Sequence, residues 1–183
     1  MPAADPTPSP AHPAADPLAA LAARHAETRR RCEALRRLAV EGEGRAASGA
    51  DRTEHANRAA ELLAYFDGPA RHAREAQERD LFPALIESMA GSDAVCLRGM
   101  TEGLRGERAR LDGIWRGRLR PVLARLAAGE AARLDPETTG AWAEDFQRHL
   151  EAADDELLAM AARLLTDEAL AELGERWTQL GEG

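Results

Sequence analysis

An all-α fold is predicted by three features of the chain. Ala, Leu, Arg and Glu dominate while aromatic residues are only 4%, a balance that favours helices over strands. Apolar residues recur at steps of three and four through most of the chain. Asp-Pro pairs stand at 16–17 and 135–136, each supplying a capping side chain and a proline at the first helical position. Four long amphipathic helices with short connections predict an antiparallel up-down bundle, followed by a short fifth helix.

The elements follow in order. Residues 1–16 are rich in Pro and Ala, too proline-dense for a helix and too thin in apolar groups for a core, which predicts a disordered tail. His12 within it has nothing to hold it as a ligand. The bundle is expected over 17–180. Its first helix begins at Pro17 with a stripe of Leu18, Leu21, His25, Cys32, Leu35 and Ala39, and ends at Gly42 and Gly44. A loop is expected from Gly44 to Asp51. The second helical region runs from about Thr53 to Met89 and breaks at Asp67-Gly68-Pro69, with a further bend at Pro83. Beyond the break its stripe is Arg74, Glu78, Leu81 and Leu85.

Gly91-Ser92-Asp93 separates the third helix, Ala94 to Ala128, closed by Gly129. Its stripe is Leu97, Met100, Leu104, Arg108, Leu111, Trp115, Leu119, Val122 and Leu126. The fourth helix carries Trp142, Phe146, His149, Ala153, Leu157, Met160 and Leu164. Thr166-Asp167-Glu168 opens the fifth, which ends near Leu180.

Charge and motifs exclude several classes of function. Twenty-four basic residues against 32 acidic ones leave a net charge of −8, which argues against a nucleic-acid partner. The cluster Arg29-Arg30-Arg31 reads as a solvated helix face. No apolar run spans a membrane, and the N-terminus lacks the pattern of a signal peptide. Cys32 and Cys96, both at helical spacing among apolar residues, read as buried free thiols in a reducing cytoplasm. There is no Gly-rich phosphate loop, no nucleophile elbow and no Glu-x-x-His. The expectation is therefore a protein that is not an enzyme, cytoplasmic, monomeric or weakly dimeric, with no protein partner named.

Polar residues interrupt the buried stripes at comparable depth: His25 on the first helix, Arg74 and Glu78 on the second, Arg108 and then Asp112 on the third, His149 and then Asp154 on the fourth. Burial of such groups is costly unless they are paired or bound to metal, so they are expected to converge on one interior site.

The segments around these residues are DPLAALAARHAETRRRCEALRRLA, YFDGPARHAREAQERDLFPAL, LRGERARLDGIWRGRLRPVL and FQRHLEAADDELLAMAARLL. Together with the final LTDEALAELGERW, they resemble the helices of bacterial hemerythrin-like, HHE cation-binding domains over about residues 16–180. Leu81-Phe82-Pro83 with Glu78 is the most specific element. The resemblance implies a bundle that holds a di-iron site with His and carboxylate ligands, in proteins that bind oxygen or sense oxygen, nitric oxide or iron. His25, Glu78, His149 and Asp154 match ligand positions. Where the family places two further histidines, this chain has Arg74 and Arg108; Gln77 and Ala153 stand where acidic residues are common. His72 and His55 fall elsewhere and read as surface residues.

Arginine keeps its proton and offers no lone pair to a metal. At ~5 Å, with an effective dielectric near ~20, each guanidinium would repel a divalent ion by roughly 6–7 kcal/mol before screening. The expectation is a charge-paired cluster without cofactor, in which Arg74 and Arg108 each pair with one of the carboxylates Glu78 and Asp154, Arg74 and Glu78 being spaced i,i+4, in a non-catalytic binding or regulatory module. The alternative is a domain that binds one or two non-haem iron ions for oxygen, nitric oxide or redox sensing.

Overall fold

The computed structural model describes residues 16–42, 49–89 and 92–180, and every regular element among them is helical. The sequence expectations for the tail, including His12, for most of the 44–51 loop and for Gly91 lie outside these residues. The first long helix is α1, Pro17–Glu41. The second region comprises α2 (Gly49–Asp67), α3 (Pro69–Ala76), a π-turn over Gln77–Leu81 and α4 (Phe82–Glu87). The third comprises α5 (Ser92–Ile114), a π-turn over Trp115–Leu119 and α6 (Arg120–Ala127). The fourth comprises α7 (Pro136–Ala152), a π-turn over Ala153–Leu158 and α8 (Ala159–Leu164), and α9 (Asp167–Leu180) follows.

The ends are set by the expected chemistry. Asp16 accepts from the Leu18 N–H at 2.9 Å and Asp135 from the Thr138 N–H at 2.8 Å, each satisfying a donor that the helix leaves unpaired. Thr166 caps α9 by accepting from Ala169 N–H at 3.2 Å. Gly129, at φ 74°, ends α6 in the left-handed region. At the break between α2 and α3, a Cβ on Gly68 would lie 3.0 Å from the Ala64 carbonyl oxygen, so the chain bends there through a residue without one.

The π-turns explain where the apolar stripes depart from the simple period. Pro83 and Pro121 lack the N–H for a normal bond, and their rings crowd the carbonyl four residues back. The residue before each proline bonds five residues back instead, Phe82 to Gln77 and Arg120 to Trp115. The extra residue in each turn moves the buried face by one position. Leu123 is therefore fully buried, whereas Val122 and Leu126, expected in the stripe, are half-buried. The third π-turn contains no proline, yet it has the same effect. Leu158, Ala161 and Leu165 are buried in place of Met160 and Leu164.

α2 packs on α6, and α1 lies along α7 and α2; α5 packs on α7 and α4, and α9 covers part of α1. Two apolar clusters result. One is aromatic, with Phe66, Trp115, Trp142 and Phe146 at its centre. The other holds Leu18, Leu21, Phe82, Leu157 and Trp177. On α1, His25 and Thr28 fall between residues of the two clusters, and on α5 Arg108 does; on α7, His149 lies next to Leu150 at the end of the aromatic cluster. Cys32 is buried in the aromatic cluster and its thiol is pushed up to about 12, chiefly by burial, with Arg108 opposing. Cys96, expected inside, is exposed. Both cysteines are free thiols. Among the described residues no helix is long and apolar enough to cross a membrane.

Candidate functional site: a belt of buried charges

The helical periods bring the singled-out polar residues to one level. His25, Arg74, Glu78, Arg108 and His149 all line one small cavity of about 30 Å³, together with Thr28, Gln77, Phe82 and Phe146. That volume holds a water molecule or two and no organic ligand. Asp154 joins through His25. The pairing within the belt differs from the expectation in several respects.

Asp154 is the centre of one half. His25 Nδ1 donates to its Oδ1 at 2.5 Å, and Arg29 Nη2 donates to its Oδ2. Burial alone would raise the Asp154 pKa. The hydrogen bonds from His25 and Arg29, with their charges, outweigh it and hold the carboxyl below 3.8. Arg29, read as part of a solvated basic face, is thus drawn inward; it sits four residues after His25 on the same face of α1.

Asp112 is the centre of the other half. Arg74 Nη1 lies 3.0 Å from Asp112 Oδ2 and Arg108 Nε 3.1 Å from Asp112 Oδ1. This corrects the expected pairing of Arg74 with Glu78: no ion pair joins those two among the described residues. The i,i+4 rule assumes an unbroken α-helix, and the π-turn that starts at Gln77 alters the backbone between them. It also corrects the pairing of Arg108 with Glu78 or Asp154. Asp112 lies one turn along the same helix from Arg108 and takes both guanidiniums, and Glu78 attracts Arg108 only more weakly than Asp112 does.

Arg108 points inward. Its side chain is only 9% exposed, against 28% for Arg74, and its guanidinium carbon lies 4.2 Å from the centre of the Phe146 ring, a cation–π contact. Burial lowers its pKa below the ordinary arginine value; Asp112 opposes this and Arg74 adds to it, but a guanidinium remains charged at any pH of interest. The Nε–H groups of Arg74 and Arg108 are buried without a hydrogen-bond partner among the described residues. The Arg108 Nε is within ion-pair range of Asp112, but its N–H does not point at the carboxylate, so that contact is charge attraction rather than a hydrogen bond.

His149 turns to neither acid. Its Nδ1 meets Glu107 Oε2 at 3.2 Å. Burial lowers its pKa from 6.5, the Glu107 hydrogen bond opposes this, and Arg108 adds to the lowering. Thr28 bonds the Tyr65 hydroxyl at 2.7 Å and donates to the Arg24 carbonyl at 2.8 Å, closing the belt beside α2. His55 and His72 are partly exposed, and neither lines the belt cavity.

These side chains do not fit a metal centre. Among the described residues, no group of three or more His, Cys, Asp or Glu is placed to hold a metal ion. Both oxygens of Asp154 face donors, His25 offers its Nδ1 to that acid, His149 offers its own to Glu107, and two guanidiniums line the cavity. Comparison of the chain with models of protein families, with curated proteins and with solved structures finds no match.

Asp112 was singled out on the third helix but not as the partner of the arginines, and Arg29 and Glu107 belong to the belt without having been singled out. Two carried a signal at i+4, Arg29 from His25 and Asp112 from Arg108. Glu107 carried none, because its carboxylate reaches His149 across helices and remains largely exposed.

Proposed function

We propose that this chain is a non-catalytic binding or regulatory module, built as an antiparallel up-down bundle of the hemerythrin-like kind, in which paired charges stand where a di-iron centre would be held. The observation that carries the reading is the inward position of Arg108, against Asp112 and the Phe146 ring. A permanent cation there repels a metal ion, and its carboxylate partner already has two guanidiniums. The reading includes a cytoplasmic location, with which two free thiols are compatible.

The test is metal content after expression in iron-supplemented cells, with the visible spectrum recorded on the same sample. The expected outcome is less than stoichiometric iron and no oxo-bridge absorption, unchanged after anaerobic loading with ferrous iron. One or two tightly held irons per chain would overturn the reading and favour iron sensing.

A further inference from the structure

Arg74, Arg108 and Phe146 line a second and larger cavity of about 310 Å³, at the lower end of the range for small-molecule sites. Its composition is unlike that of the whole chain. Arg71, Arg74, Arg108, Arg116 and Arg120 face it, with only Asp67 and Asp112 in opposition, although the chain as a whole carries −8. Phe66, Trp115, Trp142 and Phe146 form the apolar part of its wall. All four are at most 6% exposed, and Trp115 stacks on Trp142 with ring centres 5.6 Å apart.

The local pairing leaves positive charge over. Asp67 accepts from Arg120 at 2.8 Å and from the Trp115 indole N–H at 3.2 Å. Asp112 is shared by Arg74 and Arg108. Among the described residues, Arg116 reaches only the backbone carbonyl of Asp112, at 3.3 Å. Arg71 bonds the backbone of Asp67 and, more distantly, Glu75. Among the described residues, the Nε–H groups of Arg74 and Arg108 have no hydrogen-bond partner, and a buried donor left in that state is costly. Guanidinium forks match the paired oxygens of carboxylate and phosphate.

We propose that this cavity binds a small organic oxyanion, with its carboxylate or phosphate group held by Arg74, Arg108 and Arg116 and its apolar body against Trp115 and Phe146. The cavity's size and its buried aromatic wall favour a small molecule over a macromolecular surface. The inference deepens the proposed function and rests on it, since Arg74 and Arg108 serve both sites.

The test is calorimetric titration of the full chain with benzoate, phenyl phosphate, inorganic phosphate, neutral benzyl alcohol and polyglutamate, with tryptophan fluorescence read in parallel. Saturable binding of benzoate or phenyl phosphate is expected, weakened by salt; the preferred head group then identifies carboxylate or phosphate as the source. Arg116→Gln, at the exposed rim, is expected to weaken that binding by about tenfold or more, while Arg176→Gln, which lines a different cavity beside α9, leaves it unchanged. The proposal is overturned if neither organic anion binds at millimolar concentration, if benzyl alcohol or inorganic phosphate binds as tightly, if polyglutamate binds more tightly, or if Arg116→Gln has no effect. Iron content separates the two ideas. Anion binding by a chain that also holds iron overturns the metal-free reading alone, whereas a metal-free chain that ignores these anions overturns only the oxyanion site.

Discussion

The two halves of the belt have the same stoichiometry and different charge. In one, Asp154 takes two donors, His25 and Arg29. In the other, Asp112 forms ion pairs with two guanidiniums, those of Arg74 and Arg108. The first half sets one carboxylate against one permanent cation, the Arg29 guanidinium, with an imidazole beside it. Arginine has no neutral form near physiological pH, so the second half carries an excess cation in the interior. A polar layer can thus be well connected without being electrically closed. In this protein the unbalanced half is the one that faces the larger cavity.

The largest way to disturb that contrast is to remove the shared acid. Asp112→Ala leaves the buried Arg108 guanidinium and the half-buried Arg74 guanidinium without their shared acid and should cost about 3–5 kcal/mol in urea unfolding. Arg108→Ala should cost about 3 kcal/mol, at the lower end of the same range, because Arg74 still neutralises Asp112 while packing against Phe146 is lost. Arg108→Met keeps most of the volume and leaves a one-to-one pair, so its stability should lie within about 1 kcal/mol of wild type or above it. A loss as large as that of Arg108→Ala would show that the excess cation itself stabilises the fold.

Acid should act on the other groups. The His149 pKa lies below 6.5 in the folded chain, so the unfolded chain takes up a proton first as pH falls. Stability should therefore decline from about pH 6.5 towards the folded value, and His149→Gln should flatten that decline in urea midpoints measured along a pH series. Asp154, held below 3.8, adds a second loss only at more acidic pH, as the unfolded carboxyl is protonated before the folded one. The smallest effect is reserved for Arg36→Ala. Arg36 pairs with Glu33 on the exposed face of α1, and its loss should leave the melting temperature nearly unchanged.

Much of the fold was readable residue by residue. The Asp16 and Asp135 caps, the break at Gly68-Pro69 and the stripe from Leu18 to Ala39 all follow from local rules, and the structure places each as expected. The stripes failed just beyond the π-turns, at Val122, Met160 and Leu164. A simple period cannot register a turn that contains one additional residue. Pro83 and Pro121 could have given warning of two such turns; the third has no comparable mark.

The level of the polar residues was also legible, because one helix period fixes which face each of them shares with its apolar neighbours. Their partners were not. Arg74 had Glu78 within reach by spacing, yet it meets Asp112 on another helix, and Arg29 leaves a basic cluster to reach Asp154. Sequence by itself determined that these helices form, where they stop, and that charge enters the core midway along them, since these depend on forces between residues a few positions apart. Only the tertiary structure decided which acid neutralises which base. Long flexible side chains choose their partners by distance and desolvation across helices, and those are set by packing.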